Sequence, residues 1–502
     1  MTTSKEEFFD AWDRGPVIAA SRTLFADSET PMGLYRKFGQ GAGSFLLESA
    51  DQAGTWSRYS FIGASCWGIL TERENRAFWL SEDMSTQDCF GGEVPDKPLD
   101  AVAALLHRWD TPATSSSLPF PGGLVGYIGW EAVRHIENLP HQPAAVHQVP
   151  WLSMALVRDL VIFDHHSSEV TLVTLVHSPQ APSDADYEQA ISRLDHMQDK
   201  LVAPTSSLLS VRNDPDTITV PANMGKEDFF AMVDRAKQHI TDGDVFQVVL
   251  SQRFDVELHA TPLEVYRVLR SLNPSPYMYL LECEGADGVA YQVVGSSPEA
   301  LVTVKKGQVY SHPIAGSRPR GKTPDADIAI ADELLADKKE QAEHLMLVDL
   351  ARNDLSKVCE AGSVDVTQFM EVERFSHIMH LVSSVEGALR PDMGPVDVFR
   401  ATFPAGTLSG APKPRALEII DALEPHQRGI YGGVVGYFGH NGDTDLAIAI
   451  RTVWLSGRVA TVQAGAGIVA DSVNHLEYQE THHKAAAPLR AVLSANNLHH
   501  HD

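Results

Sequence analysis

Apolar residues recur with helical spacing in residues 337–355, DKKEQAEHLMLVDLARNDL, which contain no glycine or proline. We predict one helix here, with an apolar stripe made of Ala342, Leu345, Met346 and Leu350. A second uninterrupted helical pattern, which includes NHLEYQETHHK, closes the chain.

Elsewhere short strand-like runs and amphipathic helices follow one another without the strict rhythm of a doubly wound sheet, which favours an α+β fold. Residues 203–223, rich in Ser, Pro and Asp, are the best linker candidate, between an N-terminal region, 1–202, and a C-terminal domain, 224–498. The predicted strands are 44–49, 57–62, 77–80, 122–130, 156–163, 170–176, 245–254, 277–283, 291–295, 301–304, 308–312, 432–438, 446–455 and 459–464. The other predicted helices are 100–109, 184–201, 226–242, 262–272 and 414–423, and two helical stretches together cover 328–355.

One strand pattern occurs twice. GGLVGYIG at 122–129 is repeated as GGVVGYFG at 432–439, with six of eight positions identical. Two such strands could pair in one sheet or lie in two facing sheets, which would make the two halves of the chain one body. A chance match between glycine-rich strand starts is the alternative.

Composition and charge limit the partners. The 43% hydrophobic and 21% charged residues are typical of a globular protein, and 502 residues allow two or three domains or one large body. The formal net charge of −26 argues against non-specific nucleic-acid binding and against an anionic membrane surface. An anionic substrate would therefore need local cations from lysine, arginine or a metal ion.

The four cysteines, Cys66, Cys89, Cys283 and Cys359, form no CxxC pair. They predict neither a zinc site nor a disulfide framework, and they fit a reducing compartment. The N-terminus lacks the apolar core of a signal peptide, and no run is long enough to span a membrane, so we expect a cytoplasmic protein. The closing histidines, 499–501, are given no metal role.

Two predicted helices each present a pair of glutamates at i, i+3 spacing, on one face. The two pairs could close around a hard divalent cation such as Mg2+, which prefers oxygen ligands. The alternative is a solvated helix face in which Asp337 and Asn474 are N-caps three residues before a glutamate. Glu343 and Glu480 lie beyond that capping position and are the better ligand candidates. The pairs are Glu340 with Glu343 and Glu477 with Glu480.

The predicted strand 446–455, LAIAIRTVWL, places Arg451 on the same face as Ala447 and Ala449. An arginine beside two small residues suits bidentate recognition of a carboxylate in a small-molecule cavity. A surface ion pair is the alternative.

The strand 459–464 is predicted to end at Gly465-Ala466-Gly467, whose N–H groups could cradle an anion, although a plain turn explains the glycines equally well. Lys484, four residues after Glu480, is either its ion-pair partner or a further cation for an anionic substrate. A lone histidine such as His380 is more often structural than catalytic.

Several long motifs, in this order, resemble those of the chorismate-utilising enzymes, and above all those of anthranilate synthase large subunits. The resemblance covers nearly the whole chain. The motifs are LLES (46–49), NPSPYMYL (273–280), PIAGSRPRG (313–321), EQAEHLMLVDLARNDL (340–355), FSHIMHLVSS (375–384), FPAGTLSGAPKPRA (403–416), RGIYGG (428–433) and QAGAGIVADS (463–472).

The resemblance implies an α+β fold with two large antiparallel sheets packed face to face, helices outside and the active site between the sheets. It implies Mg2+ with Glu343 and Glu480 as principal ligands, beside the other glutamate of each pair. It assigns His380 to the elimination step and Glu299 to protonation of the departing C4 hydroxyl. The implied substrate-binding residues are Gly316, Ser317, Thr407, Tyr431, Arg451, Lys484 and the amides of Gly465, Ala466 and Gly467.

The implied reaction converts chorismate and ammonia to anthranilate and pyruvate in tryptophan biosynthesis, the reaction of an oxo-acid lyase. Relatives that add water carry a lysine base where this chain has Gln247, and relatives that make 4-amino-4-deoxychorismate carry a nucleophilic lysine where it has Ala315. Ser317 replaces the family's usual threonine and keeps the hydroxyl. The alternatives are an aminodeoxychorismate, isochorismate or salicylate synthase and, from another class, a catalytically silent acidic binding subunit.

The resemblance also implies partners. No cysteine lies in the setting of a glutaminase nucleophile, so ammonia would come from a separate glutamine amidotransferase subunit within a hetero-oligomer. L-Tryptophan would act as a feedback inhibitor at a site distinct from the catalytic one. That site would be lined by Leu47, Glu48, Ser49, Pro276, Tyr277 and Met278.

Overall fold

A computed structural model describes residues 2–50, 58–111, 118–178, 180–215, 217–374 and 378–500. Position 57 of a predicted strand, residues 375–377 of the motif around His380, and His501 lie outside the described residues. The helices are α1 Lys5–Trp12, α2 Pro31–Phe38, α3 Thr86–Phe90, α4 Pro98–Arg108, α5 Asp184–Val202, α6 Lys226–Thr241, α7 Pro262–Leu272, α8 Pro324–Ala336, α9 Lys338–Ser356, α10 Pro395–Thr402, α11 Lys413–Leu423 and α12 Asn474–Asn496. Over the described part of the chain, no helix has an apolar stretch long enough to cross a lipid bilayer.

The strands follow the short apolar runs of the sequence. They are β1 Val17–Phe25, β2 Phe45–Glu48, β3 Tyr59–Arg73, β4 Arg76–Leu80, β5 Gly123–Ile128, β6 Leu152–Asp164, β7 Glu169–His177, β8 Ser210–Val211, β9 Gln247–Glu257, β10 Tyr277–Glu284, β11 Ala290–Ser297, β12 Ala300–Lys305, β13 Gln308–Ser311, β14 Ile314–Pro319, β15 Asp365–Arg374, β16 Ile378–Ala388, β17 Gly410–Ala411, β18 Val434–Gly439, β19 Thr444–Ile448, β20 Thr452–Ser456, β21 Val459–Ile468 and β22 His499–His500.

Two long strands, β3 and β6, join two antiparallel sheets into one hydrogen-bonded system. They pair over most of their length, from Tyr59 opposite Asp164 to Thr71 opposite Ser153. The first sheet runs β1–β7–β6–β3–β2–β10–β11–β20–β21–β9–β17. The second runs β4–β3–β6–β5–β18–β19–β12–β13–β16–β15, with β14 beside β13 on β16. The predicted antiparallel α+β class is therefore confirmed, with the two sheets continuous through two shared strands.

The two sheets face each other across a common apolar core. Tyr127 of β5 and Tyr291 of β11 meet in it, with their hydroxyl oxygens 2.8 Å apart. A second apolar layer covers the outer face of the first sheet, where Phe8, Tyr266 and Leu489 of three helices are buried. Helices α1, α7 and α12 thus lie outside the paired sheets, and the inner space lies between the sheets.

The repeated glycine motif explains how the two halves of the chain are joined. β5 and β18 pair directly, and Gly126 lies opposite Gly436. A Cβ atom at Gly126 would lie 1.9 Å from the Ser153 carbonyl oxygen, and one at Gly436 would lie 1.9 Å from that of Asp445. Both positions therefore require glycine because neighbouring backbones come too close for a side chain. Strands from before and after residues 203–223 therefore belong to the same sheets. The predicted domain boundary at 203–223 stays a prediction.

Helix α9 forms where it was predicted, but its buried face differs from the predicted stripe. Leu345 is 53% exposed, and Ala342 is also exposed. The buried residues with helical spacing are His344, Leu347, Val348, Ala351 and Leu355. Because the buried stripe begins with a polar residue, His344, the pattern of apolar residues alone did not predict it.

Candidate active site

Glu299 occupies the tight connection between β11 and β12, at one side of the inner space. Its carbonyl oxygen accepts a hydrogen bond of 2.9 Å from the Ile448 amide, which fixes the backbone. The Thr407 hydroxyl donates to a Glu299 carboxylate oxygen over 3.1 Å. Burial raises the pKa of Glu299 to about 7, against the opposing effects of Thr407, Arg451 and Lys484. The site therefore holds a carboxyl that is partly protonated at neutral pH.

Arg451 lies at a break in a strand that was predicted to be continuous. β19 ends at Ile448 and β20 begins at Thr452, and Arg451 adopts a left-handed backbone with φ of 50°. The prediction that Arg451 follows Ala447 and Ala449 along one strand face is therefore wrong. The Ser296 amide donates to the Arg451 carbonyl over 3.2 Å, a tertiary contact that helps to hold this conformation.

The Arg451 guanidinium lies close enough to Glu299 for the two charges to interact. Burial lowers the pKa of Arg451, and the charge of Glu299 opposes that effect. Its guanidinium makes no hydrogen bond or ion pair to any described residue. A mostly buried arginine without an acceptor is suited to bind a carboxylate ligand.

His380 faces the same space from β16. It lies opposite Ser317 of β14, and its Nδ1 is 3.2 Å from the Gly316 carbonyl oxygen. A carbonyl only accepts, so Nδ1 carries the proton and Nε2 carries the lone pair. Burial lowers the pKa of His380, and the Arg451 charge lowers it further, so the ring is neutral at neutral pH.

The glycine pair of β21 lies inside the strand and does not end it. β21 continues to Ile468, with Gly465 opposite Ser251 and Gly467 opposite Val249, so the predicted strand end at Gly465 is wrong. β20 pairs with β21 over Val459–Val462, so the other edge of residues 463–468 has no partner among the strands that the structure describes.

Three side chains approach these glycines. A Cβ atom at Gly465 would lie 2.8 Å from the Tyr431 hydroxyl, and one at Gly467 would lie 2.5 Å from Nε2 of Gln247. The Lys484 ammonium donates to the Gly465 carbonyl over 3.0 Å. The absence of side chains at 465 and 467 thus makes room for Tyr431 and Gln247.

The two acidic helix turns face each other. Burial raises the pKa of Glu343, and the charges of Glu340 and Glu480 raise it further. Burial also raises the pKa of Glu477, with a further contribution from Glu480. The pairs at the starts of α9 and α12 therefore lie on one site, as their predicted role requires.

The capping alternative holds for one helix only. Asp337 caps α9 by accepting the amides of Lys339 and Glu340 over 2.9 and 3.3 Å. Asn474 does not cap α12 and donates instead to Asp234 over 2.8 Å.

Mg2+ needs several oxygen ligands around one point. Within the described ranges, no three His, Cys, Asp or Glu side chains are gathered closely enough to hold a metal ion. Glu480 is paired with Lys484 at 2.7 Å, and Glu340 with Arg318 at 3.3 Å. The charges of Glu340 and Glu480 help to raise the pKa of Glu343, and that of Glu480 helps to raise the pKa of Glu477, so these carboxylates form the oxygen-rich, like-charged group that a divalent cation stabilises. The residues fit Mg2+ by their chemistry.

The predicted inhibitor-binding segments, Leu47–Ser49 and Pro276–Met278, are also adjacent. β2 and β10 pair, with Met278 opposite Glu48. The Glu48 carboxylate accepts from Tyr266 and, over 2.6 Å, from Arg270. Ser49 Oγ is buried without a hydrogen-bond partner among the described residues.

The residue that supports Tyr431 was not predicted from the sequence. Arg428 is fully buried beneath it, donates to Glu424 over 2.7 Å, and lies 4.1 Å from the Trp130 ring and 5.6 Å from the Tyr431 ring. The motif RGIYGG, which contains both Arg428 and Tyr431, was the available signal.

The fold and this site define the class of protein. The chain belongs to the chorismate-binding enzymes, whose family model matches residues 68–490. It is 53% identical over 502 residues to anthranilate synthase component 1 of Arthrobacter globiformis, covering 98% of this chain and 93% of the relative. It is 45% identical to anthranilate synthase component 1 of Mycolicibacterium smegmatis, covering 99% and 95%.

Solved structures agree with these similarities. Anthranilate synthase component I from Streptococcus pneumoniae TIGR4 superposes with a TM-score of 0.75 at 34% identity, covering 93% of this chain and 99% of that one. A menaquinone-specific isochorismate synthase from Escherichia coli superposes with a TM-score of 0.69 at 18% identity, covering 95% of each chain, which shows the shared fold alone.

Proposed function

We propose that the chain converts chorismate and ammonia to anthranilate, pyruvate and water, as an anthranilate synthase subunit in tryptophan biosynthesis. The family, the full-length relatives and the site support this assignment. Ammonia adds at C2 as the C4 hydroxyl leaves as water, and the aminated ring then loses pyruvate and becomes aromatic.

The observation that carries the proposal is the environment of Glu299. Burial raises its pKa to about 7, so a large fraction keeps its proton at neutral pH. The hydrogen bond from Thr407 orients the carboxyl. Glu299 can therefore protonate the C4 hydroxyl as it leaves, the role of a general acid with a pKa near the working pH.

The second step uses His380. Loss of pyruvate requires removal of the C2 proton while the C3–O bond breaks and the enol form of pyruvate departs. Because Nδ1 donates to Gly316, Nε2 can accept that proton. The lowered pKa of His380 keeps this nitrogen unprotonated at neutral pH.

Because the chain carries a net negative charge, local cations are needed to bind an anionic substrate. Chorismate carries two carboxylates, and the Arg451 guanidinium is suited to bind one of them bidentately. Lys484, the Tyr431 hydroxyl and the edge of β21 at Gly465 and Gly467 provide further polar contacts. Glu343 and Glu480, with Glu340 and Glu477, would hold Mg2+, which when bound offsets the charge of the ring carboxylate.

The nucleophile is assigned from two absent lysines. Gln247 is buried beside Gly467, and an amide cannot deprotonate water. Ala315 in β14 cannot attack the ring covalently. Ammonia needs neither group, which favours anthranilate over isochorismate and 4-amino-4-deoxychorismate as the product.

A separate glutamine amidotransferase subunit, in a hetero-oligomer, is proposed as the source of ammonia. The component 1 name of the relatives supports a partner subunit. Burial raises the thiol pKa to about 11 in Cys66 and Cys359 and to about 12 in Cys89 and Cys283. None of these thiols is an activated nucleophile for glutamine hydrolysis at neutral pH. All four are free, which supports a reducing, cytoplasmic setting.

Feedback inhibition by L-tryptophan is proposed at the adjacent segments of β2 and β10. The unpartnered Ser49 hydroxyl supports a polar ligand there. Inhibition requires that tryptophan bind one conformational state better than another.

The assignment is tested with chorismate, ammonium and Mg2+ and no partner subunit. Anthranilate is measured by fluorescence and pyruvate by a coupled dehydrogenase. We expect the two products in equal amounts, dependent on ammonium. Isochorismate or 4-amino-4-deoxychorismate as the main product, or no turnover at all, would refute the proposal.

A further inference from the structure

A second pocket lies along the same strand face as the candidate active site. Arg253 of β9 pairs with Gln463 of β21, and Trp454 of β20 pairs with Thr461 of β21. Because alternate residues share a face, these side chains lie on the side of the sheet where a Gly465 side chain would point. The pocket is lined by Arg253, Trp454, Gln463, His147 and Tyr431. Tyr431 borders both this pocket and Gly465.

Arg253 is a buried cation with unused donors. The residue is 8% exposed, and its Nε donates to Asp255 over 3.2 Å. Neither Nη group makes a hydrogen bond to any residue in the described part of the chain. Arg428, which lines the same pocket, contrasts with it because all its side-chain nitrogens donate, to Glu424, Leu408 and Val249.

Two aromatic side chains of the same pocket carry further nitrogens without hydrogen-bond partners among the described residues. Trp454 Nε1 and His147 Nε2 are buried without hydrogen-bond partners among the described residues, and the two ring centroids are 4.9 Å apart. The nearest acid to His147 is Asp255, at 3.7 Å. The Asp255 carboxylate already accepts from Arg253 and, over 2.7 Å, from Thr461.

The carboxylate that lines the pocket is Glu131. One of its oxygens pairs with Arg134 at 3.3 Å, and the other accepts the Arg428 amide over 3.2 Å. The pocket therefore contains a buried, unpartnered N–H on Trp454 and two unused Nη groups on Arg253, and the carboxylate that lines it is already engaged. Buried donors of this kind are normally satisfied, so the missing partner is an acceptor brought by a ligand.

We propose that this pocket binds a small organic carboxylate. The two Nη groups of Arg253 form a fork that matches two carboxylate oxygens, and Trp454 Nε1 supplies a further N–H. The pocket and the active site share Tyr431 as a boundary, so the carboxylate that reaches it is pyruvate leaving the reaction. This choice of ligand rests on the proposed function.

Binding is tested on the full chain labelled with 5-fluorotryptophan, by 19F NMR. The Trp454 resonance is assigned by its loss in Trp454→Phe, and the other tryptophan resonances report whether each variant is folded. Pyruvate, acetate and inorganic phosphate are titrated separately without chorismate. A failure of catalysis therefore leaves this result unchanged, and a failure here leaves the catalytic proposal unchanged.

We expect pyruvate to shift the Trp454 resonance saturably and Arg253→Gln to weaken binding by about 10-fold or more. Arg458→Gln, at an arginine with a 72% exposed side chain, is the matched control and retains binding. If Arg253→Gln does not fold, Arg253→Lys keeps the charge beside Asp255 and loses the fork, and it too weakens binding. The proposal is overturned if pyruvate does not shift the Trp454 resonance saturably, or if the Arg253 and Arg458 variants bind pyruvate equally well. It is also overturned if phosphate shifts this resonance saturably and pyruvate does not.

Discussion

The Thr407 hydroxyl lies 3.1 Å from a carboxylate oxygen of Glu299, although the two residues are 108 positions apart in the chain. The Gly/Pro-rich loop before α11 delivers the hydroxyl, and the connection between β11 and β12 delivers the acid. The hydrogen bond stabilises the ionised carboxylate and opposes the effect of burial on its pKa. This balance sets the pH range in which Glu299 can act as an acid.

Replacing Thr407 by valine removes that hydrogen bond and is expected to raise the pKa of Glu299 above about 7. A general acid works in its protonated form, so kcat/KM falls as pH rises through this pKa. The alkaline limb of the kcat/KM profile should therefore move to higher pH in Thr407→Val. Thr407→Ser keeps the hydroxyl and should keep the wild-type limb. An unmoved limb in the valine variant would contradict this role of Thr407.

Glu343→Gln tests the metal assignment with two readouts. Without Mg2+ the variant should be at least as stable as wild type, because it relieves repulsion from Glu340 and Glu480. Added Mg2+ should raise the Tm of wild type but not of the variant, and turnover should fall about 100-fold or more. Asp349→Asn, at an exposed position of α9, is the control for losing an acid from this helix. Equal Mg2+ stabilisation of Glu343→Gln and wild type would exclude Glu343 as a ligand.

Ser49→Ala tests the inhibitor site. The buried Ser49 hydroxyl has no partner among the described residues, so we expect it to bond the ligand. Its removal should weaken L-tryptophan binding by about 5-fold, the value of one neutral hydrogen bond. Calorimetric titration measures this directly, and unchanged affinity would remove Ser49 from the site.

His440 is expected to make the fold sensitive to acid. It is buried, neither ring nitrogen has a hydrogen-bond partner in the described chain, and burial lowers its pKa from 6.5 to about 3. Between these values the unfolded chain binds a proton that the folded chain does not, so stability falls as pH drops below 6.5. The expected loss from this residue is about 1.4 kcal/mol per pH unit.

His440→Phe retains a ring to stack on Trp109, 5.7 Å away in the wild type, and should reduce this pH dependence in urea unfolding. Substitution of the exposed His196 controls for loss of a histidine as such. The same pH slope in His440→Phe and wild type would show that His440 is not responsible.

Much of the site follows from local sequence. The uninterrupted pattern at 337–355 predicted α9, and i, i+3 spacing placed two carboxylates on one face of each helix. The motif shared by 122–129 and 432–439 suggested a close relation between the halves, although the pattern could not choose between one sheet, two facing sheets and a chance match. These features depend on neighbours in the chain, which the sequence displays directly.

The errors arose where tertiary contacts overrode the local pattern. Nothing in LAIAIRTVWL indicates that Arg451 adopts a positive φ, a conformation held partly by the Ser296 amide of another strand. Gly465 and Gly467 resembled a strand end, but pairing with β9 continues the strand through them. The raised pKa of Glu299 depends on burial by remote segments and could not be inferred from its motif.

The account is tested most directly by the rate of anthranilate formation in Glu299→Gln, which keeps the size of the side chain and removes its proton-donating group. Saturating chorismate, ammonium and Mg2+ should give a kcat about 100- to 10,000-fold below wild type, with the other steps in place. A kcat within a few-fold of the wild-type value would show that Glu299 is not the acid that protonates the departing hydroxyl.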